Sequence, residues 1–168
     1  MKLPAAAWLS QPETRAVMAA LEAKLPGGAR FVGGCVRNTL LGQKVDDIDI
    51  ATQLTPDEVT AAVRAAGLEA IPTGAAHGTI TVVSNHVPFE VTTLRRDVST
   101  DGRRATVAFT KDWAEDARRR DFRINALYAE TDGTLHDPTG GGLQDAGEGR
   151  VKFIGEPAQR IADDYLRI

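Results

Sequence analysis

Apolar residues recur at helical spacing through Val17, Leu21 and Leu25, and Pro26-Gly27-Gly28 closes that stripe. Ser10-Gln11-Pro12-Glu13 reads as a capping box with proline near the helix start, so a helix is predicted from Ser10 toward Leu25. Arg30-Phe31-Val32 then reads as a short strand entering Gly33-Gly34, and Cys35 to Leu41 as a short helix stopped by Gly42. From Asp47 to Ala51 acids and apolar residues alternate, the period of a strand with one functional face. Ile48 and Ile50 point to the core, and Asp47 and Asp49 share the other side.

Thr55-Pro56-Asp57-Glu58 is a second capping box, opening a helix to about Ala66 that Gly67 ends. Leu68 to Pro72 reads as a strand, and Gly78–Val83 with Val87–Leu94 as a hairpin around Ser84-Asn85-His86. The polar stretch from Arg96 to Phe109 is the best candidate for a mobile loop. Asp112 can cap a helix through the arginine cluster, followed by strands at Ala126–Glu130 and Thr134–His136. Gly140-Gly141-Gly142 marks a boundary before a shorter unit, with a strand at Val151–Ile154 and a helix running to Ile168 without a stop signal. That unstopped helix predicts a fragment of a longer protein. No internal repeat or low-complexity tract is present.

Composition narrows the class without naming it. The 168 residues suit one domain, or one domain and the beginning of another. With 42% hydrophobic residues the chain can build an α/β core, and its net charge of −3 offers no global attraction to nucleic acid. Local basic islands do occur: Arg95-Arg96, Arg103-Arg104, and Arg118-Arg119-Arg120 with Arg123. A single cysteine, Cys35, excludes an intramolecular disulfide framework and reads best as a small buried residue behind the glycines. No apolar run approaches the ~20 residues that span a membrane, and the start lacks a signal-peptide pattern, so a soluble cytoplasmic protein is expected.

The chemistry concentrates in two stretches. A Gly33-Gly34 turn can bring backbone N–H groups against a phosphate, with Arg37 close enough to contact one bidentately. Asp47 and Asp49 can share divalent cations, and close backbone plus paired acids is the minimum kit for nucleotidyl transfer. Asp46 faces the opposite side and reads as a surface or structural acid. Glu90 lies in a strand that can neighbour the acid-bearing one and would supply a third carboxylate. In the second stretch Arg120 and Asp121 can reach a nucleotide's phosphate and ribose, with Asn125 bonding a hydroxyl, while Phe122, Ile124 and Leu127 pin the segment to a core. His77, His86 and His136 show no metal-ligand spacing.

Together these motifs resemble the class II tRNA nucleotidyltransferase and bacterial poly(A) polymerase family, whose head domain belongs to the DNA polymerase beta-like nucleotidyltransferase superfamily. The resemblance is carried by Gly33–Asn38 through Leu40-Leu41-Gly42 to Asp47–Thr52, by Phe89–Arg95, by Arg119–Leu127 and, more loosely, by Arg160–Arg167. It implies an α/β (α+β) head with a mixed sheet of about five strands flanked by helices, spanning residues 1–155, and the start of a helical neck at 156–168. Asp47 and Asp49 would then bind two Mg²⁺ ions, with Mn²⁺ as an alternative, and Glu90 would join them in catalysis. Gly33, Gly34 and Arg37 would hold the triphosphate, and Arg120, Asp121 and Asn125 the nucleotide and its ribose. Asp163, Asp164 and Arg167 would couple head to neck, and Arg95 and Arg96 would contact RNA or the head-domain loop.

The function this resemblance implies is template-independent addition of CCA to tRNA 3′ ends from CTP and ATP, in a bacterial cytoplasm. Its partners would be an RNA 3′ end, expected to be tRNA, and an NTP; no membrane is expected and no protein partner is predictable. The rivals are a poly(A) polymerase sharing these head motifs and an isolated head that binds NTP but is idle. Four departures from the family pattern stand out: Asn38 for the usual Asp, Arg123 for Thr, Asp163 for Glu and Tyr165 for Pro. Both metal acids are retained. The family's base-selecting Glu-Asp-x-x-Arg motif would lie beyond Ile168.

Overall fold

The computed structural model describes residues 2–101 and 104–148, with 75, 97–101, 104–107 and 146–148 by backbone alone. The expected strand at 151–154, the terminal helix, Asp163, Asp164, Arg167 and the boundary at 155/156 lie outside the described residues.

Two helices open the chain, α1 (Ala7–Ser10) and α2 (Pro12–Lys24). The predicted Ser10 cap does not form. With Pro12 at the first helical position, Gln11 becomes the N-cap, and the Ser10 hydroxyl donates to the Ala7 carbonyl within α1 (3.3 Å). Glu13 accepts instead from the Asn85 amide (3.1 Å). Val17 and Leu21 are fully buried, as their stripe requires.

Next come β1 (Ala29–Val32), α3 (Gly34–Leu40), β2 (Asp49–Thr52) and α4 (Pro56–Ala65). The Thr55 capping box is complete: its hydroxyl accepts from Glu58 N–H (3.3 Å) and the Glu58 carboxylate accepts from Thr55 N–H (3.0 Å). After β3 (Glu69–Gly74), β4 (Thr79–Ser84) and β5 (Val87–Thr93) form the predicted hairpin. Its two central residues, Asn85 and His86, both take positive φ (48° and 70°), as a tight two-residue turn demands.

The stretch expected to be a mobile loop is a two-stranded antiparallel ribbon, β6 (Arg95–Asp101) with β7 (Arg104–Phe109). The two strands hydrogen-bond to each other and not to the main sheet, and Arg95-Arg96-Asp97-Val98-Ser99-Thr100-Asp101 is too polar in sequence for apolar periodicity to mark a strand. Beyond it lie α5 (Trp113–Arg118), capped by Asp112, then β8 (Tyr128–Ala129), β9 (Leu135–His136) and α6 (Gly142–Glu148). The helix predicted through the arginines stops at Arg118, with Arg119 as its C-cap.

The main sheet has seven described strands in the order β3-β4-β5-β2-β1-β8-β9, not about five, because the two-residue β8 and β9 extend it past β1. The β2–β5 pair is parallel and the other pairs are antiparallel. Alternation along the strands separates two cores. Phe31, Ile50 and Val91 pack with Val17, Leu21, Val59 and Val63 of the helices, and Trp8 meets Phe31 edge-on at 4.9 Å. Val32, Ala51, Leu94 and Tyr128 face the other way and are covered by Ala117 and Trp113 of α5.

Gly140-Gly141-Gly142 is not a boundary. A Cβ on Gly142 would stand 2.5 Å from the Arg123 carbonyl oxygen and 2.8 Å from Leu127, so glycine lets α6 close onto the preceding segment. From α6 the buried Asp145 carboxylate accepts a bidentate pair from Arg123 (2.7 and 2.6 Å). Arg123, which stands where the family's usual Thr would, is thereby the tie between α6 and the second motif.

Candidate functional site

The sheet register assembles the site. Val32 pairs with Asp49, and Asp49 pairs in turn with Glu90 across the parallel β2–β5 junction. Residues in register on neighbouring strands share a face, so Asp49 and Glu90 lie together on the α5 side of the sheet. The chain leaving Val32 turns at Gly33, whose φ of +77° favours glycine. A Cβ at Gly33 would meet Asp49 Oδ2 at 3.9 Å, which sets the glycine turn directly against the acid.

Asp49 is half-buried, and its carboxyl is held above the ordinary carboxylate range. Burial is the main cause, the Glu90 and Asp47 charges add to it, and Arg120 works against it. Glu90 is fixed by the Thr81 hydroxyl, which donates to it at 2.8 Å. Asp47 is exposed and precedes β2, which starts at Asp49. Strand alternation therefore does not place it, although its charge reaches Asp49. Asp46 is the surface acid expected, 3.4 Å from Lys44.

These donors suit a hard divalent cation. They are carboxylate oxygens, and the Glu90 and Asp47 charges add to burial in raising the Asp49 pKa, a repulsion that Arg120 offsets only in part and that a bound cation would relieve. Among the described residues no group of three or more His, Cys, Asp or Glu side chains converges as a metal cage. The fit is to an ion held by one or two carboxylates with substrate phosphates completing its shell.

A hydrogen-bond chain joins the two sequence motifs. Arg37 Nη1 donates to Asn125 Oδ1 (2.8 Å), and Asn125 Nδ2 donates to Asp121 Oδ1 (3.2 Å), which also accepts from Phe122 N–H (2.7 Å). Arg37 Nε donates to Asn38 Oδ1 (3.0 Å), while the Asn38 amide donates to the Lys44 carbonyl (3.0 Å). A carboxylate at position 38 could not make that second bond, so Asn38 ties α3 to the loop leading to Asp47.

Sequence reasoning missed the residue that organises the arginines. Asp116, 1% exposed, accepts on Oδ2 from the Tyr128 hydroxyl (2.6 Å) and from Arg120 Nε and Nη2 (3.3 and 3.1 Å). Its Oδ1 accepts from Arg119 Nε and from the Arg95 backbone N–H (both 3.1 Å). Burial opposes the Asp116 charge, but Arg120, Arg119 and these hydrogen bonds prevail and hold its pKa below the ordinary value. Burial also lowers Arg119, to about 10, aided by the like charge of Arg120 and opposed by Asp116. For Arg120 burial acts downward, yet Asp116 and Tyr128 raise its pKa overall. The one sequence signal was spacing: Asp116 stands three and four residues before the two arginines on a helical turn.

The remaining expected residues are placed as follows. Arg95 donates from Nη1 to the His77 carbonyl (2.8 Å), and Arg96, 59% exposed, lies 4.0 Å from Glu115 at the base of the ribbon. Cys35 is buried behind the glycines as expected, its thiol pushed up to about 11, mainly by burial, and directed at the Val32 carbonyl (3.4 Å). His136 is paired with Glu130 at 3.0 Å. Two surface grooves of about 440 and 460 Å³ lie elsewhere, beside Arg30 and Trp113 and beside Leu9 and Met18, and neither is lined by Asp47, Asp49 or Glu90. No described helix is long and apolar enough to cross a membrane.

Comparison with known proteins shows the family and the fold. The profile of the Poly A polymerase head domain matches residues 29–152. The chain is 48% identical over 140 residues to the mitochondrial CCA tRNA nucleotidyltransferase 1 of Homo sapiens, covering 83% of this chain and 32% of that protein. It is 40% identical over 142 residues to the CCA-adding enzyme of Levilactobacillus brevis, covering 83% and 34%. Among solved structures, the Bacillus stearothermophilus CCA-adding enzyme in complex with CTP superposes with a TM-score of 0.78 at 34% identity, over 94% of this chain and 37% of that one. A tRNA nucleotidyltransferase complexed with a primer tRNA and an incoming ATP analog gives 0.69 at 29% identity, over 89% and 42%. The chain spans about a third of the length of the curated relatives it matches.

Proposed function

Because the chain belongs to the Poly A polymerase head-domain family, we propose that it is the nucleotidyltransferase head of an enzyme that adds CCA to tRNA 3′ ends. The observation that carries this reading is Asp49, in register with Glu90 and set against the Gly33 turn. A triphosphate on that turn would lie beside the acids, which is the juxtaposition nucleotidyl transfer needs. The names of the relatives support CCA addition as the activity of the whole enzyme.

In this reading the Gly33-Gly34 backbone and Arg37 hold the triphosphate of CTP or ATP. Arg120, Asp121 and Asn125 hold the nucleotide and its ribose. Asp47 and Asp49 would hold two Mg²⁺ ions, or Mn²⁺, which neutralise phosphate charge and favour ionisation of a hydroxyl nucleophile. Glu90, steadied by Thr81, adds a second carboxylate beside Asp49 on the same face. The RNA 3′-hydroxyl attacks the α-phosphate in line, a P–O bond forms to the primer, and pyrophosphate leaves. Arg95 and Arg96 are proposed to approach the RNA. The head would span 1–155, with 156–168 opening a neck whose Asp163, Asp164 and Arg167 couple the two. Base choice would rest outside this chain.

The family name keeps poly(A) addition as a second reading, since it is the description the matching profile carries. The test is extension of a tRNA transcript lacking CCA by the enzyme that carries this head, with CTP, ATP and Mg²⁺. Addition of C, C and A followed by arrest is expected. Long A tails on generic RNA would assign the other activity.

A further inference from the structure

We propose that Asp116 is the positioning residue that presents Arg120 to the nucleotide, an inference that rests on the assignment of Arg120 as a nucleotide contact. Tyr128 pairs with Val32 and Val32 with Asp49, so Tyr128 stands two strands from Asp49 in one row across the sheet. The row spans roughly 10 Å at ordinary strand spacing. Asp116 is fastened to that row by the Tyr128 hydroxyl (2.6 Å), and Arg120 is fastened to Asp116 through Nε and Nη2. The guanidinium carbon also lies 5.7 Å over the Tyr128 ring.

Two of the three guanidinium nitrogens of Arg120 are therefore engaged behind the site. Nη1 makes no hydrogen bond among the described residues, and the Arg120 charge is felt at Asp49. An arginine gripped along one edge presents its other edge in a fixed direction, which lowers the rotamer cost of contacting an anionic ligand. The other oxygen of Asp116 holds Arg119 and the N–H of Arg95, so the carboxylate cannot swing away without losing contacts on both sides. Asp116 acts through Arg120 and touches no substrate itself.

The experiment measures the dissociation constant of CTP with Mg²⁺ for this chain by calorimetry, with the fold of every variant checked by circular dichroism. Asp116→Asn keeps the shape and removes the charge, and it is expected to weaken CTP binding by about tenfold, the scale of one charge-assisted hydrogen bond lost from a ligand. In an Arg120→Ala background the same change should cost less than about twofold, because its effect passes through Arg120. Tyr128→Phe removes only a hydroxyl and should show a smaller loss with the same coupling; it carries the test if Asp116→Asn does not fold. Losses that add in full, or Asp116→Asn and Tyr128→Phe binding CTP like wild type, would overturn the positioning role while leaving the site assignment intact. If wild type does not bind CTP, or Arg120→Ala binds it unchanged, the assignment of Arg120 falls and the inference with it.

Discussion

Asp49→Asn should make the ligand-free protein more stable, although it removes the central acid of the site. Asp49 is half-buried and its pKa is raised by burial and by Glu90, its in-register neighbour on β5. For an acid whose folded pKa exceeds its unfolded value, the penalty is absent below the unfolded pKa and complete above the folded one. At neutral pH it is therefore fully present. Carboxylates about 6 Å apart repel by about 0.7 kcal/mol in bulk water and about 3 kcal/mol at an effective dielectric of 20. Attraction from Arg120 offsets part of this, which leaves about 1 kcal/mol to be relieved by the neutral isostere. With an m-value of about 2 kcal/mol/M, the urea midpoint should rise by about 0.5 M at pH 7 in EDTA. Adding Mg²⁺ and CTP should stabilise wild type and leave the variant nearly unmoved, closing or reversing the gap. The reasoning fails if Asp49→Asn is equally or less stable than wild type without divalent cations.

Three further outcomes follow from the same geometry. Asp116→Ala should destabilise the fold by about 3–5 kcal/mol in chemical denaturation, because two largely buried guanidiniums lose their common counter-charge. The Asp116 pKa is lowered on folding, so its stabilisation is present above the unfolded carboxylate value near 4 and lost as pH falls through the folded one; a wild-type-to-variant difference that persists unchanged to pH 2 would contradict the assignment. Thr55→Ala, which breaks the capping box of α4, should cost about 1 kcal/mol by the same measurement, and no change in midpoint would refute it. The chain should bind CTP, ATP and GTP with similar Mg²⁺-dependent affinity, and clear preference for CTP over GTP would place base selection inside the head after all.

Much of the site was legible because its chemistry is local. Phe31 through Gly42 reads as strand, turn and helix from its own residues, and the burial of Ile48 and Ile50 around Asp49 follows from alternation. That Glu90 could neighbour Asp49 was readable, but register depends on which strands pair, and that is set by the whole sheet. The Asp116 cluster was hidden for the same reason: its partners Tyr128 and Arg95 come from separate elements. The ribbon at 95–109 looked like a loop because the run from Arg95 to Asp101 is polar in sequence and its pairing partner lies in the same stretch. At Gly141 and Gly142 glycine serves close packing on Arg123 and Leu127, and nothing in a run of glycines distinguishes a hinge from such a contact. At Ser10 two start signals competed, and the proline moved the cap to Gln11.

The most direct test of the central claim is labelled CMP incorporation into a tRNA transcript ending before CCA, by the enzyme carrying this head with Asp49→Ala and, separately, Asp47→Ala. Both variants should retain the wild-type circular dichroism spectrum and show no detectable incorporation. Near-normal turnover by either would mean that the acid substituted in it does not hold the catalytic metals.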